Sequence, residues 1–180
     1  MEEDIKIFDN LIPEDYQNQI YNSIFENGFI KFTCNFPGWE MMGKQKLNFG
    51  LINHFKKGDY CDKQLFDFFY PLAEISCKEV NQKIKNIEIG RIWLDYPDNR
   101  KQFDYGFVHK DLPYDHTVVL YYVKDSDGDT HIFDEFGGVI KKIKPKKGRV
   151  VVFNGNLLHA SGVAKEDIRA VVNIDVITEE

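Results

Sequence analysis

The sequence predicts an α+β chain with a mainly β core, a barrel or jelly roll with helices packed on the outside of a double sheet. Three observations predict this. Helical periodicity is confined to the first half of the chain, short β-rich runs fill the stretch from Ile87 to Ile177, and turn-forming clusters separate those runs at close intervals.

Asp4 to Phe8 alternates polar and apolar residues like a short strand. Ile12 to Gly28 reads as a helix. Proline suits a first helical position because its missing N–H has no partner there, Glu14 and Asp15 favour the positive end of the dipole, and Gly28 can close the helix. Tyr16, Ile20, Ile24 and Phe25 make its apolar face. Phe29 to Phe36 alternates again and reads as a strand. Residues 37–61 show no clear period and read as an irregular segment, a lid or substrate loop. Asp62 to Ile84 is helical through Leu65, Phe69, Leu72, Ile75, Val80 and Ile84, with Pro71 either kinking one helix or starting a second. Strands are then expected at Ile87–Tyr96, Thr117–Val123, His131–Asp134, Val139–Ile143, Arg149–Phe153 and Ala170–Ile177. The turns between them are Pro97-Asp-Asn, Asp125-Ser-Asp-Gly-Asp, Gly137-Gly, Pro145-Lys-Lys-Gly and Asn154-Gly-Asn.

A chain of 180 residues is expected to form one domain, residues 1–180, with a real core: 1–86 as helical support and substrate-side elements, 87–180 as the jelly-roll core. Its 43% hydrophobic and 14% aromatic content is that of a globular protein. A net charge of -6 argues against nucleic acid as a partner, since phosphate binding needs a basic face. No apolar run has the length of a membrane span, and Met1-Glu-Glu-Asp is acidic where a signal peptide is basic, so a cytoplasmic protein without membrane attachment is expected. Cys34, Cys61 and Cys77 are too scattered for a disulfide framework or a zinc cluster and read as free thiols.

The chemistry centres on His109-Lys110-Asp111. In an extended segment residues i and i+2 share a face, so His109 and Asp111 would aim an imidazole and a carboxylate into one space, with Lys110 turned away. His159, 48 positions after Asp111, is the third candidate ligand. Two histidines and one carboxylate with positions left open form the facial triad of non-haem Fe(II) oxygenases. Arg169, ten residues after His159, opens a strand that otherwise reads as core, and it could pair a carboxylate through two charge-assisted hydrogen bonds. His116 and His131 also lie between Asp111 and His159, yet neither stands ten residues before a cation that opens a hydrophobic strand. They and His54 read as structural or surface residues. The basic run Lys141 to Arg149 reads as a solvated hairpin, and the acidic loop after Lys124 as a surface turn.

Taken together, Tyr96-Pro97, His109-Lys-Asp111, Leu120-Tyr-Tyr-Val123, Asp127-Gly-Asp-Thr130, Pro145-Lys-Lys-Gly-Arg-Val-Val-Val-Phe153, His159 and Arg169 give the second half of the chain its resemblance. From about Ile87 to Ile177 it resembles the 2-oxoglutarate- and Fe(II)-dependent dioxygenase superfamily, and within it the prolyl 4-hydroxylase-like enzymes. The resemblance implies a double-stranded β-helix (jelly roll) with supporting N-terminal helices. It implies Fe(II), 2-oxoglutarate and O2, with ascorbate as a reductant. His109, Asp111 and His159 would be metal ligands, Arg169 would pair with the distal carboxylate of 2-oxoglutarate, Tyr122 would add a phenol hydrogen bond there, and Tyr96 could face the iron end of the cosubstrate. The implied reaction hydroxylates an aliphatic C–H bond, a prolyl residue in a peptide or protein, and releases succinate and CO2. One departure is Asp127, which replaces the first glycine of a Gly-Gly-x-Thr turn. Two alternatives stay open: hydroxylation of a free amino acid or other small metabolite, and a jelly-roll binding module without turnover. Nucleic-acid demethylation is disfavoured, because Asp175 stands six residues after Arg169 where a second arginine would be required.

Overall fold

The computed structural model describes residues 4–28, 30–35, 50–98 and 104–179. Among these, the order is β1 (Ile5–Asp9), α1 (Glu14–Phe25), β2 (Thr33–Asn35), β3 (Gly50–Lys57), β4 (Tyr60–Cys61), α2 (Lys63–Glu79), β5 (Ile84–Asp95), β6 (Thr117–Tyr122), β7 (Thr130–Phe133), β8 (Val139–Ile143), β9 (Arg149–Asn154), β10 (Leu158–Ser161) and β11 (Arg169–Thr178).

Two sheets form. The larger runs β1-β9-β6-β11-β5-β3-β2, with β4 paired to β3, and the smaller runs β10-β7-β8. All strand pairings among the described residues are antiparallel, and after β5 the chain passes back and forth between the sheets, as a jelly roll requires. An isolated bridge between His109 and His159 adds the segment around His109 to the free edge of β10. The fold is thus the expected double-stranded β-helix, with two helices beside it.

Strand alternation divides the larger sheet into two faces. Ile92 and Leu94 of β5, Val119 and Tyr121 of β6, Val150 and Val152 of β9, and Ala170, Val172, Ile174 and Val176 of β11 face one side. There they pack with Ile20 and Ile24 of α1 and Leu65, Phe69, Leu72 and Cys77 of α2 in one apolar cluster. Val118, Leu120 and Tyr122, Val151 and Phe153, and Val171 face the other side, against Ile132 and Ile143 of the small sheet. This second cluster is smaller because polar side chains share the space, and it positions the site.

Several elements differ from the sequence expectation for physical reasons. The second part of the segment expected to be irregular forms β3 and β4; residues 37–49 of that segment, and residues 99–103 before His109, lie outside the described residues. Pro71 neither kinks the chain into two helices nor starts a new one: α2 is continuous. Asp62 caps it by accepting a hydrogen bond from the Leu65 N–H at 3.1 Å. Proline removes one intrahelical hydrogen bond, and the fully buried Phe69, Leu72 and Ala73 on both sides of it hold the helix together. α2 stops at Glu79, before Ile84, where Asn81 at φ 58 turns the chain into β5. Of the strand expected over Phe29–Phe36, the described residues form Thr33–Asn35, with residues 29 and 36 outside them, and β5 begins three residues early, at Ile84. β10, which carries His159, was not expected as a strand at all.

Candidate metal centre

β10 and the segment before β6 carry the triad. His109 and His159 exchange two backbone hydrogen bonds, each N–H donating to the other residue's carbonyl at 3.0 Å. Their imidazoles therefore stand side by side, ring centroids 4.7 Å apart. The buried Asp111 carboxylate closes the group: Oδ1 lies 3.4 Å from His109 Nε2 and Oδ2 3.3 Å from His159 Nε2. Among the described residues this is the set of three whose ligand atoms all lie within 4.8 Å of one another.

The second nitrogen of each ring decides what the first can do. His109 Nδ1 is 2.9 Å from the Phe107 carbonyl and His159 Nδ1 is 3.1 Å from the Leu157 carbonyl. A carbonyl only accepts, so each Nδ1 carries the proton and each Nε2 turns a lone pair toward Asp111. Two neutral imidazole nitrogens and one carboxylate oxygen, oriented by backbone acceptors behind them, match the donor set of a non-haem Fe(II) site, and the residues present fit such an ion.

A guanidinium reaches this carboxylate from an unexpected strand. Arg91 on β5 donates to Asp111 Oδ1 through Nη2, and Asn173 on β11 donates to Oδ2 at 3.2 Å. Arg91 and Asn173 are direct cross-strand partners. Arg91 Nη2 also lies 3.8 Å from Asp175, a fully buried carboxylate. Burial alone would raise the Asp111 pKa, but its contacts with His109 and His159 and the Arg91 charge hold it well below the usual carboxylate range. Burial and the neighbouring Asp111 push Asp175 the other way. So the position six residues after Arg169 is acidic, as the sequence says, and a second arginine nonetheless stands at the Asp111 carboxylate.

The triad opens into a cavity of about 410 Å³ between the two sheets. Its walls include Trp93, Leu120, Phe153 and Val171, and Arg169 lies at its buried end, 4% exposed. Arg169 is held on every side: Nε donates to the Gly128 carbonyl at 3.0 Å, Nη2 to Thr130 Oγ1 at 2.8 Å, and Nη1 to Asp95 Oδ2 at 3.3 Å. A Cβ at Gly128 would stand 3.0 Å from Arg169 Cδ, a tight contact that glycine avoids. Thr130 also accepts from the Tyr122 hydroxyl at 2.6 Å. A hydroxyl that accepts two hydrogen bonds keeps its own proton to donate, and Thr130 lines the cavity.

The structure brings His109, Asp111, His159 and Arg169 to one cavity. Tyr122 reaches it through Thr130 and does not line the wall. Tyr96 lies just past β5 with the parity of Ile92 and Leu94, which face the helices, and it is not part of the wall either. Lys110, expected to turn away, contributes to the cavity's rim. His116 packs its ring against Gly155, and His131 sits 5.0 Å from the Tyr105 ring, so neither joins the triad. Asp127 is more than a solvated turn residue: its carboxylate accepts from the Lys165 N–H at 2.8 Å and the Glu166 N–H at 3.2 Å, tying the turn to the loop before Arg169. Arg91, Asp95 and Asn173 were not singled out from sequence, and Thr130 only as part of the Asp127-Gly-Asp-Thr130 turn. Strand parity counted back from Asp95 would have put Asp95, Trp93 and Arg91 on one face. A larger open depression, about 980 Å³, lies near Lys6, Lys85, His116 and Glu179, remote from the triad and without a comparable ligand set among the described residues.

Comparison with solved structures places this architecture. The chain has the jelly-roll fold of the 2-oxoglutarate and Fe(II) oxygenases. A prolyl hydroxylase from Trichoplax adhaerens, solved with a peptide fragment of the oxygen degradation domain of hypoxia inducible factor, superposes with a TM-score of 0.67 at 14% identity, over 97% of this chain and 83% of that one. A viral collagen prolyl hydroxylase from Paramecium bursaria Chlorella virus-1, solved with 2-oxoglutarate, gives 0.61 at 18% identity, over 96% and 95%. An oxidoreductase of the 2-oxoglutarate-Fe(II) oxygenase family from Burkholderia pseudomallei gives 0.73 at 9% identity, over 97% and 85%. No family model and no curated protein matches the sequence.

Proposed function

We propose that this protein is a 2-oxoglutarate- and Fe(II)-dependent dioxygenase that hydroxylates an aliphatic C–H bond, with a prolyl residue of a peptide or protein as the substrate class. The observation that carries the reading is the pair of Nε2 lone pairs converging with the Asp111 carboxylate at the mouth of a cavity that has Arg169 at its other end. The prolyl assignment is supported by the fold neighbours, among them prolyl hydroxylases.

His109, Asp111 and His159 would hold the iron, which when bound supplies oxidative decarboxylation of the 2-oxo acid and oxygen transfer to the substrate carbon. The chain's own residues do the rest. Phe107 and Leu157 carbonyls fix the imidazole tautomers. Arg91 and Asn173 fix the rotamer of Asp111. Arg169 and the free proton of Thr130 provide donors at the closed end of the cavity. Val118, Leu120, Phe153 and Val171 keep water from the space between. A second reading, hydroxylation of a free amino acid or small metabolite, is favoured by the modest cavity volume, which suits a cosubstrate and little else.

The test is the visible charge-transfer band of Fe(II) with a 2-oxo acid, recorded without oxygen, followed by succinate release in air with ascorbate present to keep the iron ferrous. The band should appear with wild type and vanish with His159→Ala. Succinate release stimulated by proline-containing peptides supports the prolyl assignment, and stimulation by free amino acids alone moves it to the second reading. No band with folded, metal-loaded protein refutes the oxygenase assignment.

A further inference from the structure

Arg169 already has a carboxylate partner from its own chain. Asp95 on β5 and Arg169 on β11 are direct cross-strand neighbours, 1% and 4% exposed, with Nη1 3.3 Å from Oδ2. The other oxygen of Asp95 accepts from Trp93 Nε1 at 2.5 Å, so the carboxylate is held from two directions. β3 closes over the pair: Gly50 is in register with Asp95, and a Cβ there would stand 3.1 Å from Trp93 Nε1 and 3.5 Å from Asp95 Oδ1.

This arrangement bears on what the cavity can select. A carboxylate docks best on a guanidinium through two parallel N–H groups of one edge. Among the described residues Nε donates to Gly128, Nη2 to Thr130 and Nη1 to Asp95, so of the five N–H groups one on each Nη is left for an incoming carboxylate, beside the charge of Asp95. An incoming carboxylate would have to displace Asp95, or lie beside it in a water-poor space where two like charges repel. An uncharged chain end meets neither obstacle, and the Thr130 proton serves a carbonyl or hydroxyl as readily as a carboxylate.

We propose that Asp95 is a specificity-determining residue of the cosubstrate seat: it competes for Arg169 and reduces the advantage of 2-oxoglutarate over 2-oxo acids that lack a distal carboxylate. The inference rests on the reading of this cavity as a 2-oxo-acid seat. Two probes isolate it, 2-oxoglutarate and 2-oxopentanoate, which share a five-carbon chain and differ in the distal carboxylate alone. Both would be titrated into Mn(II)-loaded protein by calorimetry. Titration would also follow Trp93 fluorescence in a Trp39→Phe background, where Trp93 is the single indole.

In wild type the two acids should bind within about tenfold of each other, less than one unhindered charge-assisted pair would separate them. Asp95→Asn keeps an acceptor for the indole and should tighten 2-oxoglutarate by about tenfold or more while leaving 2-oxopentanoate unchanged. Trp93→Phe, read by calorimetry, loosens Asp95 from the other side and should move 2-oxoglutarate in the same direction. Displacement of Asp95 by 2-oxoglutarate, and not by 2-oxopentanoate, should change the Trp93 emission. Strong wild-type preference for 2-oxoglutarate, with no tightening in Asp95→Asn, overturns the role of Asp95 and leaves the oxygenase assignment standing. Binding of neither acid to metal-loaded wild type overturns both.

Discussion

A divalent metal should raise the melting temperature of this protein, and His109→Ala should abolish the rise. The perturbation suits the site because His109 is the most accessible of the three candidate ligands, its side chain 37% exposed, so its removal should leave the apo fold nearly intact. Asp111 keeps its bonds from Arg91 and Asn173 in that variant. A ligand that binds only the folded state at a hundred times its Kd adds about 2.7 kcal/mol. Unfolding entropy near 60 °C is about 2.1 cal/mol/K per residue, or about 0.4 kcal/mol/K over 180 residues. The quotient is a rise of about 7 °C. Scanning calorimetry of apo protein with Mn(II) or Co(II), each kept from oxidising, would read it directly. His109→Ala should melt close to apo wild type and show at most a small metal response. A wild type indifferent to metal at millimolar concentration, or a variant with the full rise, would mean that the three side chains are not a metal site.

Three further outcomes follow from other parts of the structure. Gly90→Ala should cost about 1–3 kcal/mol in urea denaturation, because a Cβ there overlaps the buried Phe55 ring, which stacks on Phe69 at 4.9 Å; Phe55→Leu in the same chain should recover part of the loss. Asp9 is held well below the ordinary carboxylate range by hydrogen bonds from Arg149 and Lys146. Its folded pKa is the lower one, so its contribution is complete above the unfolded value of about 3.9 and disappears as pH falls through the folded value. The group is solvent-accessible, so Asp9→Asn should lose no more than about 1 kcal/mol at pH 7, and the gap to wild type should shrink as urea titrations are repeated at lower pH. Cys34 and Cys61 are exposed and Cys77 is buried, its thiol pushed up to about 11 by desolvation. A thiol reagent at mild alkaline pH should modify two cysteines quickly and the third only on unfolding.

The elements legible in sequence are those in which one signal dominated. β6, β9 and β11 are nearly continuous β-branched and aromatic runs, buried on both faces, and no other element type competes for them. The triad and Arg169 were legible because order and spacing along the chain survive where local context varies. β3 was missed because Gly50-Leu-Ile-Asn-His-Phe-Lys-Lys is a half-buried strand whose polar residues fall on no strict period. β10 was missed because four residues, one of them a metal-ligand candidate, are too few to show a pattern. The continuity of α2 through Pro71 is a tertiary effect, since the packing of Phe69 and Leu72 overrides a local penalty. Arg91 and Asp95 escaped because a charged residue in a strand usually marks its wet face. Here the face is interior, and Arg91 meets Asp175, and Asp95 meets Arg169, across β5 and β11.

The two faces of the larger sheet have different jobs, and that bears on how such a protein can change. The face toward α1 and α2 is ordinary close-packed hydrocarbon, where exchanging one side chain disturbs many neighbours. The opposite face holds Arg91, Trp93, Asp95, Arg169 and Asn173 on alternate positions of the same two strands. The residues on either side of each keep the backbone anchored to the helices, while the buried charges answer one another in pairs. A lineage, or an experimenter, could therefore rewrite the choice of small molecule on this face by changing matched partners together, with the packing against the helices left to the residues in between.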